Sequence, residues 1–349
     1  MRLKDFAGYE LSGATPDSVE TLERAFHELR CLIDDPVATV DAALAAAPGL
    51  VMGHALRAYL HLLGTEPAGI AVARESLQAA QGFSATDREC RHLRAIGHLV
   101  DGRWRAAGRE LEDLSIVYPR DALALQAGHQ IDFFTGDSRM LRDRIARAMP
   151  AWTGGIPGYH AVLGMRAFGL EEMGEYARAE SLGRRAVELQ PRDGWAQHAV
   201  AHVMEMQQRR RDGIAWMRGN QAGWAPGSFL AVHNFWHLAL FHLGLDEVDA
   251  ALDLFDGPVY GKASGVVLDM IDASALLWRL HLRGVDVGSR WAALADNWTP
   301  LAGAGNYAFN DMHAMIAFVG AGRGAQADAV LEAQRAALEA PGDNADFTR

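Results

Sequence analysis

Cysteine is nearly absent: Cys31 and Cys90 are the only two in 349 residues. Two cysteines cannot build a zinc ribbon or a disulfide framework, and so low a number suits a reducing compartment. Positive charge is also short, with 33 Lys and Arg against 44 Asp and Glu, a net charge of −11. A nucleic-acid partner would call for a basic face, so that class is set aside. The run QQRRRD at 207–212 follows a helical stretch, where cations favour the helix dipole, and reads as a solvated turn. No window is a continuous apolar span, and residues 1–13 lack the apolar region of a secretory leader. A cytoplasmic protein without a membrane partner is the expectation. Strand signals are scarce and no nucleophile elbow occurs. The glycines at 64–66 and 320–325 lack the strand-loop-helix setting of a phosphate loop.

What is present is helical periodicity and repetition. Half of the residues are hydrophobic, enough for a large core. GRWRAAGRELEDLSIVYPRD at 102–121 returns 72 residues later as GEYARAESLGRRAVELQPRD at 174–193. A third copy runs from Gly324 to Pro341 with the same 17-residue span from Gly to Pro. Glycine permits the turn into the helix, alanines let helices approach, and proline ends the hydrogen-bond ladder. This is the second-helix signature of a tetratricopeptide-like unit. Weaker units lie at 35–49, 138–150 and 246–258, and Asp193 is a suitable N-cap for the helix after it. The pattern predicts an all-α, tetratricopeptide-like solenoid of about seven or eight helix pairs over residues 1–341. Residues 342–349, without an apolar pattern, are expected to fray.

The densest chemistry is a double motif. HAVAHVMEM (198–206) and HNFWHLALF (233–241) each place two histidines four apart, on one face of a helix. His198 to His233 and His202 to His237 are both 35 residues, so one helix position is used twice. The same register runs through His54, His92, His129, His202, His237 and Asp272, then the pair Asp311 and His313. The intervening helix near 164–167 shows no equivalent. First helices line the concave side of a helix-pair solenoid, so these positions would converge on one groove. His61, His98, His242 and His281 fall off the register and read as structural. Trp195, Phe235 and Trp236 read as packing around the groove.

Histidines at i and i+4 can chelate one cation through two imidazoles. His198, His202, His233 and His237 are therefore candidate metal ligands, with Asp311 or His313 completing the set. Glu205, one turn beyond His202, and the pair Asp269 and Asp272 are candidates for a general base or an orienting carboxylate. Neutral imidazole with carboxylate suits a divalent transition metal, zinc first, with iron, manganese and nickel as alternatives. His54, His129 and Asn310 are candidates for the substrate groove. Against this stands a plain polar groove that recognises a peptide.

VMGHA (51–55), the two histidine segments, LDMIDASALLWRL (268–280) with GVDVGSRW (284–291), and FNDMHA (309–314) form a specific set. On these segments the chain resembles the tetratricopeptide repeat protein 38 family. The resemblance covers nearly the whole length and implies a helical-repeat fold with a groove. Carried over, its pattern includes His54, His129, His198, His202, Glu205, His233 and His237. It continues through Asp269, Asp272, Asn310, Asp311 and His313, while Asp132, His160 and His242 stand outside it. A set of His and acids differs from the Lys, Arg and Asn clusters with which scaffold tetratricopeptide proteins clasp peptide ends. It looks like a metal centre or an acid-base pocket. The expected function is a metal-dependent enzyme, hydrolase-like or lyase-like, acting on a small polar molecule. The alternative is a non-catalytic module binding a peptide or protein.

Overall fold

Short polar residues and prolines write the helix starts into the chain. Thr15 and Thr86 each close a capping box, with Ser18 and Glu89 as the reciprocal residues. Asp35, Asp121, Asp137 and Asp193 accept N–H groups at four further starts. Pro16, Pro36 and Pro67 occupy first-turn positions, where the missing N–H costs nothing. Twenty α-helices result in this computed structural model, which describes residues 3–349. Among the described residues there is no strand, only isolated bridges at Lys4–Glu10 and Ile33–Ser228.

The helices pack in consecutive neighbour pairs, the arrangement of a helical solenoid. Contacts divide the chain into two compact units, residues 1–207 with 220–230, and residues 208–219 with 231–349. The first contains the pairs α1 (Pro16–Cys31) with α2 (Pro36–Ala46), and α3 (Val51–Leu62) with α4 (Pro67–Gln81). It continues with α5 (Asp87–Val100) and α6 (Trp104–Val117), then α7 (Ala122–Phe134) and α8 (Ser138–Ala148). Helix α9 (Tyr159–Glu171) pairs with α10 (Tyr176–Leu189), and α11 (Gly194–Met206) packs on both. The four-residue α13 (Gln221–Trp224) belongs to this unit as well.

The second unit opens with α12 (Arg210–Gly219), which packs on α14 (Ala231–Gly244). Its pairs are α14 with α15 (Val248–Leu254), α16 (Val267–Leu282) with α17 (Arg290–Trp298), and α18 (Ala308–Gly320) with α19 (Gly324–Glu339). A π turn at Phe255–Val259 follows α15, where Pro258 cannot donate to the ladder and Gly257 leaves helical geometry. Each unit has its own core. One is built on residues such as Leu22, Tyr59, Leu111 and Ala127, the other on Met270, Leu277, Trp298 and Phe318.

The repeated segments become α6, α10 and α19. Gly102 and Gly174 turn the chain with φ of 71° and 77°, two residues ahead of their helices. In the third copy the turning glycine is Gly322, with φ of 67°, and Gly324 is already the first helical residue. That helix has 16 residues against 14 in α6 and α10, so aligned at its turning glycine the third copy is two residues longer. Residues 342–349, expected to fray, include a short helix, α20 (Asn344–Thr348). Asn344 explains it: its Nδ2 donates to Gly305 O at 2.7 Å and its Oδ1 accepts from Ala308 N at 2.8 Å. A single half-buried amide therefore supplies what the apolar pattern lacks.

The shared Pro-Arg-Asp ending has a structural purpose. Asp121 Oδ1 caps α7 through Ala124 N, while its Oδ2 is 3.0 Å from His92 Nε2. Asp193 Oδ1 caps α11 through Ala196 N, while its Oδ2 is 2.7 Å from His160 Nδ1. In both copies one carboxylate starts a first helix and fixes a histidine on the preceding first helix.

Candidate metal-binding site

Each histidine pair is best described within its own unit. In the second, His233 and His237 lie one turn apart on α14, and their Nε2 atoms are 3.3 Å from one another. Two nitrogens bound at zinc distance in tetrahedral geometry stand about 3.3 Å apart. The pair thus already has the bite of a chelate. His233 Nδ1 lies 2.9 Å from Oδ1 and 3.1 Å from Oδ2 of Asp272, a buried residue of α16. Donation to that carboxylate puts the proton on Nδ1 and leaves Nε2 as a lone-pair donor, the usual backing of a metal-bound imidazole. Trp236 stacks on His233, centroids 5.4 Å apart at 13°, and meets His237 edge-on at 4.9 Å. The Arg279 guanidinium lies over the same indole, 5.1 Å from a ring centroid.

The first unit repeats the scheme on α11. The rings of His198 and His202 have centroids 4.2 Å apart. Glu171, the last residue of α9 and itself buried, stands 3.5 Å from His202 Nδ1. Phe168 stacks on His198 at 5.4 Å and meets His202 at 5.3 Å, and Trp195 lies 4.9 Å from His198. Of the aromatic residues read as packing, Trp195 and Trp236 wall the imidazoles. Glu171, Glu172 and His202 form one grouping of side chains able to hold a metal ion. Burial, with the neighbouring Glu171 charge, raises the Glu172 carboxyl above its ordinary range.

Glu171 escaped the sequence reading, although α9 is the helix in which the polar register showed no equivalent near 164–167. The acid lies one helical turn beyond that window, in GLEEMGEY. The register was thus not broken at α9; it was displaced by four residues along the same face.

The remaining candidates divide by what they touch. One Glu205 oxygen is buried with no hydrogen-bond partner among the described residues. Asp269 is half-buried in the first turn of α16, and Asp272 is committed to His233. His313 Nδ1 bonds Phe309 O at 2.8 Å, and burial lowers its basicity while the Asp272 charge raises it. Asp311 is buried and accepts from Gln334, and desolvation pushes its carboxyl up to about 6. Asn310 is buried beside it on α18.

Three register positions in the first unit serve the fold. His54 Nε2 is 2.8 Å from Pro48 O, and its ring stacks on Phe83. His92 is 0 % exposed and is held between Asp121 and Tyr59, whose hydroxyl is 3.2 Å from Nδ1. His129 is buried among Phe168, Trp195 and the Arg144 guanidinium, which with desolvation lowers its pKa to about 3. Off the register, His242 bonds Glu247 at 2.6 Å and His281 stacks on Trp278.

The structure also brings together a set that the sequence did not connect: His27, Cys31 and His160 form a second grouping able to hold a metal ion. No helix among the described residues is long and apolar enough to cross a membrane. Compared with the models of known protein families, the chain matches none.

Proposed function

We propose that this chain is a metal-dependent enzyme, hydrolase-like or lyase-like, acting on a small polar molecule, with His198, His202, His233 and His237 as its ligands. The observation that carries the reading is the arrangement at His233: Nδ1 on Asp272 and Nε2 3.3 Å from Nε2 of His237. That combination fixes tautomer, ring orientation and bite at once. The first unit supplies a second pair with a buried carboxylate, Glu171, behind it. Each pair has the donor chemistry for a borderline-soft divalent ion, zinc first. Such an ion would supply Lewis-acid polarisation of a substrate carbonyl or phosphoryl oxygen. Glu205, with an oxygen buried and unbonded among the described residues, is the candidate general base, and Asp272 the orienting carboxylate. The resemblance to the tetratricopeptide repeat protein 38 family supports the same set of residues.

Elemental analysis of the untagged, purified chain tests the proposal. It predicts at least one equivalent of a transition metal, and loss of one equivalent in the His233→Ala/His237→Ala variant. It also predicts that zinc raises the melting temperature of the metal-stripped chain. A chain that carries no metal and gains no stability from zinc would instead support a peptide-binding groove, because that reading predicts unchanged stability in the double variant.

A further inference from the structure

Two residues of α1 and one of α9, 129 positions from Cys31, meet inside the first unit. His27 and Cys31 are four apart on α1, so both side chains rise from one face. His27 Nδ1 lies 3.9 Å from Cys31 Sγ, and a nitrogen and a sulfur bound to one tetrahedral zinc stand about 3.6 Å apart. The thiol is 0 % exposed, and a ring nitrogen of His160 joins the two within 4.8 Å. His160 Nδ1 is bound at 2.7 Å by Asp193, a carboxylate that is itself 0 % exposed. That bond leaves Nε2 as the nitrogen for a ligand, the same backing that Asp272 gives His233.

The contrast with the other Pro-Arg-Asp copy sharpens this. There, Asp121 binds His92 in the same way, but Tyr59 takes the second nitrogen and the ring is fully buried. Its role is complete without a ligand. In the Asp193 copy, a thiol and a second imidazole stand where the first copy has a hydroxyl, and both are metal donors. A hydrogen bond from a thiol to imidazole would not need His160, nor a buried carboxylate to orient it.

We infer that His27, Cys31 and His160 form a second metal site, a nitrogen–nitrogen–sulfur set for a zinc-class ion, independent of the histidine pairs on α11 and α14. The charges facing it are mixed: Arg30 and Arg192 are cations, and Asp34 and Asp193 are anions. A thiolate ligand lowers the charge of the bound divalent site from +2 to +1, in a surrounding whose own charges cancel. Binding replaces the S–H bond by an S–metal bond and releases one proton to solvent per ion bound.

Cobalt(II) is the probe, added to the metal-stripped full-length chain. A thiolate bound to cobalt absorbs in the near ultraviolet, and imidazole ligands alone do not produce that band. The expected result is a saturable thiolate-to-cobalt band whose full amplitude corresponds to one cobalt–thiolate per chain, with about one proton released for each cobalt bound to the thiolate. Cys31→Ser abolishes the band, His27→Gln and His160→Gln each weaken cobalt binding at least tenfold by this readout, and Cys90→Ser leaves it intact. His233→Ala/His237→Ala also leaves it intact, which separates this site from the proposed function. Should Cys31→Ser fail to fold, His27→Gln, a change at a half-exposed position, decides alone. No thiolate band in the wild-type chain overturns the inference. So does a band that persists in Cys31→Ser or is unchanged in His27→Gln.

Discussion

His233 Nδ1 lies 2.9 Å from Asp272, and that bond determines which nitrogen of the ring faces His237. Its counterpart, Glu171 with His202, is longer at 3.5 Å, beyond a strong direct hydrogen bond. The two carboxylates should therefore contribute unequally. Asp272→Asn is expected to weaken zinc binding about 10- to 100-fold, because an amide can present N–H to Nδ1 and shift the imidazole tautomer. Glu171→Gln should have a smaller effect. Competition titration against a chromophoric chelator measures both, and equal losses would show that the distances do not govern the ligands.

His129 predicts a pH dependence. Burial and the Arg144 charge lower its pKa from 6.5 to about 3, so the ring is neutral in the folded chain and takes up a proton on unfolding. Its contribution is fully present above pH 6.5 and is lost as pH falls towards 3. Between pH 7 and about pH 4.5 the loss is on the order of 3 kcal/mol. His129→Phe, placed among Phe168 and Trp195, should flatten the stability curve across that window. Urea unfolding at the two pH values tests it, and an unchanged slope would refute the assignment.

Arg144 is 1 % exposed, and its guanidinium binds Asp132 at 2.7 and 2.8 Å and Gly108 O at 3.0 Å. Arg144→Met should destabilise the first unit by about 3–5 kcal/mol, since Asp132 then lies buried without its cation. Arg144→Met with Asp132→Leu should recover most of that loss, which chemical denaturation of the single and double variants would show.

Two helical glycines should respond oppositely to a methyl group. A Cβ on Gly69 would meet His61 O at 2.0 Å, where α3 and α4 cross closely, so Gly69→Ala should cost about 1–3 kcal/mol. A Cβ on Gly97 meets nothing nearer than Leu77 Cδ2 at 3.8 Å. Gly97→Ala should stabilise by about 0.5–1 kcal/mol, because the unfolded chain loses freedom. Thermal melts of the pair decide between packing and propensity at each position.

The fold was legible because its signals are local. Pro119 and Pro191 follow the ends of α6 and α10, and Asp193 caps α11 as its sequence context implies. The bend at Gly257–Pro258 could have been read as a helix end but not as a π turn. The site was half legible. Spacing put each histidine pair on one helix face, and Asp272 on the register was the residue that binds His233. Spacing could not say that His92 would be absorbed by Asp121 and Tyr59, since register fixes a direction and not a partner. Nor could it join His27 to His160, whose meeting depends on how α1 and α9 pack and has no trace in any repeat.

Asp193 divides its two oxygens between Ala196 N–H and His160. The start of α11, the helix that carries His198 and His202, is thus mechanically joined to the ring that faces Cys31. Loss of the carboxylate would remove a helix cap and free the His160 ring in one step. Asparagine, serine or threonine could each keep the cap on Ala196, but none would offer His160 a charged acceptor, so a change here would alter the histidine before it altered the helix.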